Sequence, residues 1–129
     1  MLISGLYGGL AALLVMVLAI RVSLARRAKC IDLGDGGDAD MLRYIRAHAN
    51  AAEYVPLALA LMLLLELSAT NATTLHVFGI WLIVARSAHA IGASLDDTPN
   101  PARAAGAILT WLLILSMAAQ LLWRYCLDR

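Results

Sequence analysis

The chain has 129 residues, 62% of them hydrophobic and 15% charged, with a formal net charge of +1 and a mean hydropathy of +0.78. That apolar share lies well above the roughly half expected of a soluble domain, which excludes a water-soluble globule and points to a protein that lives in a bilayer. A charge this close to zero leaves no footprint for a nucleic-acid partner, so the placement of charge says more than its sum.

A hydrocarbon core about 30 Å thick needs roughly 20 apolar residues per crossing, and four stretches meet that length: 2–24, 49–67, 74–93 and 104–123. The expectation is one all-α domain over 1–129, an integral membrane four-helix bundle. The first stretch is too long for a signal peptide, has no charged segment before it and no A-x-A site after it, so it is expected to stay attached. Within it Gly5, Gly9 and Ala12, separated by four and three, form a small-residue stripe suited to close helix contact in lipid. Arg21, Arg26, Arg27, Lys29, Arg43 and Arg46 gather around the first connection and Arg103 follows the third span, whereas 68–73 holds no Lys or Arg. The positive-inside rule then puts the first and third connections in the cytoplasm and both termini outside, with Arg124 and Arg129 weighing the other way. Cys30 and Cys126 fall on opposite sides, which excludes a disulfide within the chain, and neither has metal-ligand partners nearby.

The first connection, CIDLGDGGDADMLRY, reads as a turn followed by a helix start with Asp38 or Asp40 as N-cap. Its Asp spacing misses the D-x-D-x-D-G calcium pattern, and its acidic side chains would repel a phosphate, so no metal or phosphate site is expected.

The segment RAHANAAEYVP, Arg46 to Pro56, opens the second span. Arg46, Asn50 and Glu53, four and three apart, share one helix face. An ionised side chain at the bilayer centre costs on the order of 3 kcal/mol and almost always faces a bundle interior, a cavity or a partner. Arg43 and Arg46 can snorkel to the boundary. Glu53 sits about 10 Å further along the helix at 1.5 Å per residue and is too short to follow; it is expected to be ionised and salt-bridged to Arg46 or Arg86. Pro56 leaves the Ala52 carbonyl without its usual donor, so a kink is expected beside the polar stripe.

The third span closes on ARSAHAIG, with Arg86 and His89 three apart and so on one face. With Arg26 and Arg27 ending the first span and Arg103 opening the fourth, every helix brings charge to the same half of the membrane. Glu53 is the main anion among these cations. An excess of guanidinium groups beside a desolvated pocket calls for an anionic ligand, and Arg forks fit carboxylates well. An ion-pair network that only holds the bundle together is the alternative.

R-A-H-A-N-A-A-E-Y-V-P fits the R-x-x-x-N-x-x-E-x-x-P signature of the MAPEG family, the membrane-associated proteins of eicosanoid and glutathione metabolism. The resemblance covers essentially the whole chain: four spans, the basic ARRAK after the first, RSAH closing the third and NPAR opening the fourth. The short chain and the lead-in LGDGGDADMLRYIRAHAN look like the family's bacterial branch. The resemblance implies a left-handed four-helix protomer assembled as a homotrimer in a bacterial inner membrane, with glutathione as co-substrate between subunits near the cytoplasmic face. It implies that Arg46, Asn50 and Glu53 hold the glutathione backbone and its charged ends, with Tyr54, Arg86, His89 and Arg26 or Arg27 as further contacts. Arg103 matches the arginine that lies against the thiol in catalytic members. There a guanidinium in a low-dielectric site favours the thiolate over a thiol of pKa about 8.5. Four residues past R-x-x-H those enzymes carry a tyrosine where this chain has Ala93, so one ligand contact of the family is missing.

Three function classes follow. The first is a glutathione-dependent transferase or peroxidase acting on a lipophilic small molecule that arrives through the membrane lipids. The second is a non-catalytic scaffold of the same fold. The third is a small proton-coupled transporter built on Glu53, against which stands the arginine on the same helix face.

Overall fold

In hydrocarbon every backbone N–H and C=O must find a partner within the protein, so an isolated apolar stretch has one solution open to it, the α-helix. The computed structural model describes residues 2–95 and 99–127, which form four helices: α1 (Ile3–Lys29), α2 (Ala39–Leu67), α3 (Ala72–Ser94) and α4 (Pro101–Leu127). All four are long and apolar enough to cross a membrane. The protein is an all-α four-helix membrane bundle. Arg129, one of the charges weighed for orientation, lies outside the described residues.

The helix ends are held by side chains from the connections and from neighbouring helices. Asp38 caps α2, its Oδ1 accepting the Met41 N–H at 2.8 Å, while its Oδ2 pairs with Lys29 at 2.6 Å and so ties the end of α1 to the start of α2. The Lys29 hydrogen bond is the main reason the Asp38 carboxyl is held below the usual carboxylate range. Asn71 caps α3 by accepting the Thr74 N–H at 2.9 Å, and Asn100 accepts the Arg103 N–H at 3.1 Å at the start of α4. The first turn of α1 has no cap of its own from Leu2. Glu66, at the far end of α2, supplies it by accepting from Ile3 N–H at 2.5 Å, Ser4 N–H at 2.8 Å and the Ser4 hydroxyl at 2.5 Å. α2 runs through Pro56 as one helix.

α3 is the central helix: it packs on α1, α2 and most extensively on α4, whereas the backbones of α1 and α4 stay apart among the described residues. Tyr7, Met62, Leu75, Phe78, Leu82, Leu113 and Met117 form the main apolar core. Glycines set the closest approaches. A Cβ at Gly79 would lie 2.1 Å from the Tyr7 ring, one at Gly106 2.4 Å from the His89 N, and one at Gly92 2.3 Å from the Arg103 N. Thus α3 and α4 meet backbone to backbone at their arginine-bearing end.

The small-residue stripe of α1 makes no close helix contact within the protomer. Gly5, Gly9 and Ala12 are exposed, and a Cβ at Gly9 would meet nothing within 4 Å. The face that α1 buries is Ser4, Tyr7, Ala11 and Leu18, because the Glu66 cap and the Tyr7 ring seated on Gly79 orient the helix and leave the stripe on the outside of the protomer.

Candidate functional site

The antiparallel order brings the end of α1, the start of α2, the end of α3 and the start of α4 to one side of the bundle, and the guanidinium groups go with them. Between α2, α3 and α4 lies a cavity of about 280 Å³ lined by Arg43, Arg46, Asn50, His89 and Arg103, with Leu42 and Ala93 completing the wall. Four of the expected site residues, Arg46, Asn50, His89 and Arg103, are brought together here. Arg43 is paired with Asp40. For Arg46 and Arg103 no carboxylate lies within ion-pair distance among the described residues, and no acidic side chain lines the cavity.

Arg86 stands behind this wall rather than in it, with 1% of its surface exposed. Its Nη2 donates to Asn50 Oδ1 at 2.7 Å and lies 3.4 Å from His89 Nδ1. Its Nη1 donates to Thr110 Oγ1 at 3.3 Å. The Thr110 hydroxyl in turn donates to the Gly106 carbonyl at 2.7 Å, which leaves its lone pairs for Arg86. The guanidinium carbon lies 5.9 Å from the centroid of the Tyr54 ring, and Nε has no partner. A buried cation is thus held by neutral acceptors and an aromatic face instead of a carboxylate. Tyr54 is half-buried beside it and accepts a hydrogen bond from Trp111 Nε1 at 3.1 Å.

Two expectations change. Glu53 makes no salt bridge to Arg46 or Arg86 among the described residues, and it is exposed on the outer side of α2. The reason is rotational. α2 turns Ala47, Ala51, Val55 and Ala58 into the bundle, so of the polar stripe only Asn50 sits at the inner edge, while Glu53 points nearly opposite. Arg26 and Arg27 also stay apart from the cavity. They line a separate open depression with Ser23, Cys30 and Asp32, where Arg26 donates to the Asp32 carbonyl at 3.3 Å. Within one protomer the structure does not join them to Arg46 and Arg103.

Other residues hold the site without having stood out in the sequence. Asn100, 6% exposed, fixes the backbone of Arg103, and the Asn-Pro pair that opens α4 carries a readable signal for it, a capping side chain followed by Pro at the first helical position. Thr110 is an isolated hydroxyl in an apolar span. Nothing in spacing alone distinguishes it from a tolerated membrane-helix threonine. Gly92 and Gly106 let α4 approach closely enough for Arg103 to share a cavity with His89.

The model of the MAPEG family matches residues 4–123. The chain is also similar to the inner membrane protein YecN of Escherichia coli strain K12, 34% identical over 122 residues that span 95% of this chain and 92% of that protein. The YecN of Escherichia coli O6:H1 strain CFT073 matches with the same identity and coverage.

Proposed function

The chain belongs to the MAPEG family, and from that membership together with the chemistry of the cavity we propose that it is a membrane-embedded glutathione-dependent transferase or peroxidase acting on a lipophilic electrophile. The observation that carries this is the cavity itself, in which Arg46, Asn50, His89 and Arg103 converge and no carboxylate competes for the guanidinium groups. Glutathione binds there through its anionic groups. Arg103, fixed at the start of α4 by Asn100, lies beside the sulfur and favours the thiolate, because a guanidinium stays charged at any relevant pH and stabilises the ionised form of its neighbour. The thiolate then attacks an apolar electrophile that partitions from the lipid, forming the sulfur bond as a leaving group such as halide departs with the bonding electron pair.

The working form in this reading is a homotrimer in the bacterial inner membrane, with both termini outside the cytoplasm. Supporting the assembly, Glu53 and the Gly5, Gly9, Ala12 stripe lie on outer faces of the protomer, where a second copy would relieve a charge exposed at membrane depth and find a surface open to close helix contact. The depression holding Arg26 and Arg27 can then meet a neighbouring cavity. The test is thiolate absorbance in the near ultraviolet on adding glutathione to the detergent-solubilised protein, followed by conjugation to a generic aryl halide. A protein that raises no thiolate absorbance at saturating glutathione overturns this reading.

A second reading, a scaffold without catalysis, is favoured by one observation: Ala93 lines the cavity and presents a methyl group where a hydroxyl-bearing side chain would contact the ligand. The same titration separates the two. Proton-coupled transport has less support, since Glu53 is exposed on the outer side of α2 and does not line the cavity that holds Arg46, Asn50, His89 and Arg103.

A further inference from the structure

A guanidinium carries five N–H donors and no acceptor, and it keeps its proton in any protein environment. Each close contact of Arg86 therefore identifies the other atom as an acceptor. Against Asn50 that atom is Oδ1, at 2.7 Å, so the amide is held in one of its two orientations, with its N–H donors turned away from Arg86. Against His89 the atom is Nδ1, at 3.4 Å, so Nδ1 carries the lone pair and the ring proton sits on Nε2. Asn50 and His89 both line the cavity, and Arg86, at 1% exposure, does not. Neither Asn50 Nδ2 nor His89 Nε2 has a partner among the described residues.

We propose that Arg86 is a positioning residue that sets the specificity of the cavity: by donating to Asn50 and His89 it turns both into donors toward the ligand, so that the polar wall accepts carboxylate-type anions and rejects ammonium groups. The remaining polar groups of the wall, Arg43, Arg46 and Arg103, can only donate as well. An ammonium group entering would meet no acceptor side chain there and would face Arg46 and Arg103, neither of which has a carboxylate partner within the described chain. Like charges so placed repel, whereas a dicarboxylate finds both guanidinium groups and neutral N–H donors in the same wall. This rests on the cavity being the ligand site of the proposed function. It adds the orientation of a glutathione-type ligand, whose anionic groups enter the cavity while its ammonium stays outside it.

The experiment uses probes without a thiol, so that it is separate from thiolate chemistry. Thermal unfolding of the detergent-solubilised full chain is followed with succinate, a dianion, and with putrescine, a dication of similar length, at matched ionic strength. Nitrogen-15 NMR of ring-labelled histidine, assigned by loss of the signal in His89→Gln, reports the tautomer. The expected result is stabilisation by succinate, binding of putrescine at least about tenfold weaker, and a His89 ring protonated on Nε2. In Arg86→Lys a single ammonium cannot hold both partners; the His89 signal is expected to move toward a tautomer mixture and succinate to bind about tenfold more weakly. If Arg86→Lys does not fold, Asn50→Asp tests the same point, since it exchanges the N–H donors for an acceptor and should cost succinate binding to a similar degree. A His89 proton on Nδ1 in the parent, equal stabilisation by the two probes, or no stabilisation by either overturns the proposal. Succinate binding with an Nε2–H ring but no thiolate signal from glutathione leaves it standing and removes the thiol reading instead.

Discussion

Glu53 lies in the apolar part of α2, exposed and with no cation within ion-pair distance among the described residues, whereas Arg46, about two turns earlier on the same helix, lines the cavity. In a bilayer such a carboxylate is costly, and a second copy of the chain is the partner that the proposed trimer provides. Glu53→Leu is accordingly expected to shift native mass spectra from trimer toward monomer while leaving the helical content of the protomer intact; a variant that stays trimeric with unchanged heat resistance removes Glu53 from the interface. Arg103 gives the complementary prediction inside the cavity. Arg103→Leu should abolish the thiolate signal while glutathione still binds through Arg46 and Asn50, and Arg103→Lys, which keeps the charge and loses the planar fork, should lie between. Calorimetric binding alongside absorbance separates loss of binding from loss of ionisation.

At the scale of the helices, what places the site is the approach of α4 to α3. Gly106 meets the His89 backbone and Gly92 meets Asn100 and Arg103 at distances that no Cβ tolerates, so Gly106→Ala should force the helices apart, cost about 1–3 kcal/mol and weaken glutathione binding with it. Gly9→Ala is the control. Its added methyl meets nothing within the protomer, and the lower backbone entropy of the unfolded chain should leave the isolated protomer unchanged or stabilised by up to about 1 kcal/mol. The link from α1 to α2 responds to pH. Because the Asp38 carboxyl is held below its ordinary value, first by Lys29, its contribution is fully present above the ordinary pKa of about 4 and is lost as pH falls through the lowered one. In thermal unfolding, the advantage of the parent over Asp38→Ala should therefore be full at neutral pH and shrink below about pH 4.

For the molecule as a whole the arginines of the cavity mark one end, and the Glu66 cap of α1, with Arg124 donating to the Ser68 carbonyl, marks the other. Cys30 and Cys126, both exposed, follow α1 and close α4 and so label the two ends. With the arginine-rich end in the cytoplasm, a membrane-impermeant thiol reagent applied to intact cells should modify Cys126 in preference to Cys30. Modification of Cys30 alone would invert the orientation and put the cavity on the outer side.

Much of this protein is legible in the linear sequence. Four apolar stretches of spanning length leave the backbone no alternative to the helix, Asp38 is visible beside Asp40 as a candidate cap before α2, and the cluster of arginines announces which end collects charge. Spacing also places Arg86 and His89 on one face and brings Arg103 to the start of α4. Spacing does not reveal the rotation of a helix about its own axis, and that rotation decided the rest. α2 buries the alanine edge at Ala47 and Ala51, which keeps Asn50 in the cavity and turns Glu53 out. Tyr7 seated on Gly79 turns the small-residue stripe of α1 outward. Backbone contact at Gly92 and Gly106 draws α4 in and leaves Arg86 enclosed among Asn50, His89 and Thr110. In a chain whose outer surface is as apolar as its core, hydrophobic pattern cannot say which face is inward; only the fit of particular side chains against glycine and backbone settles it.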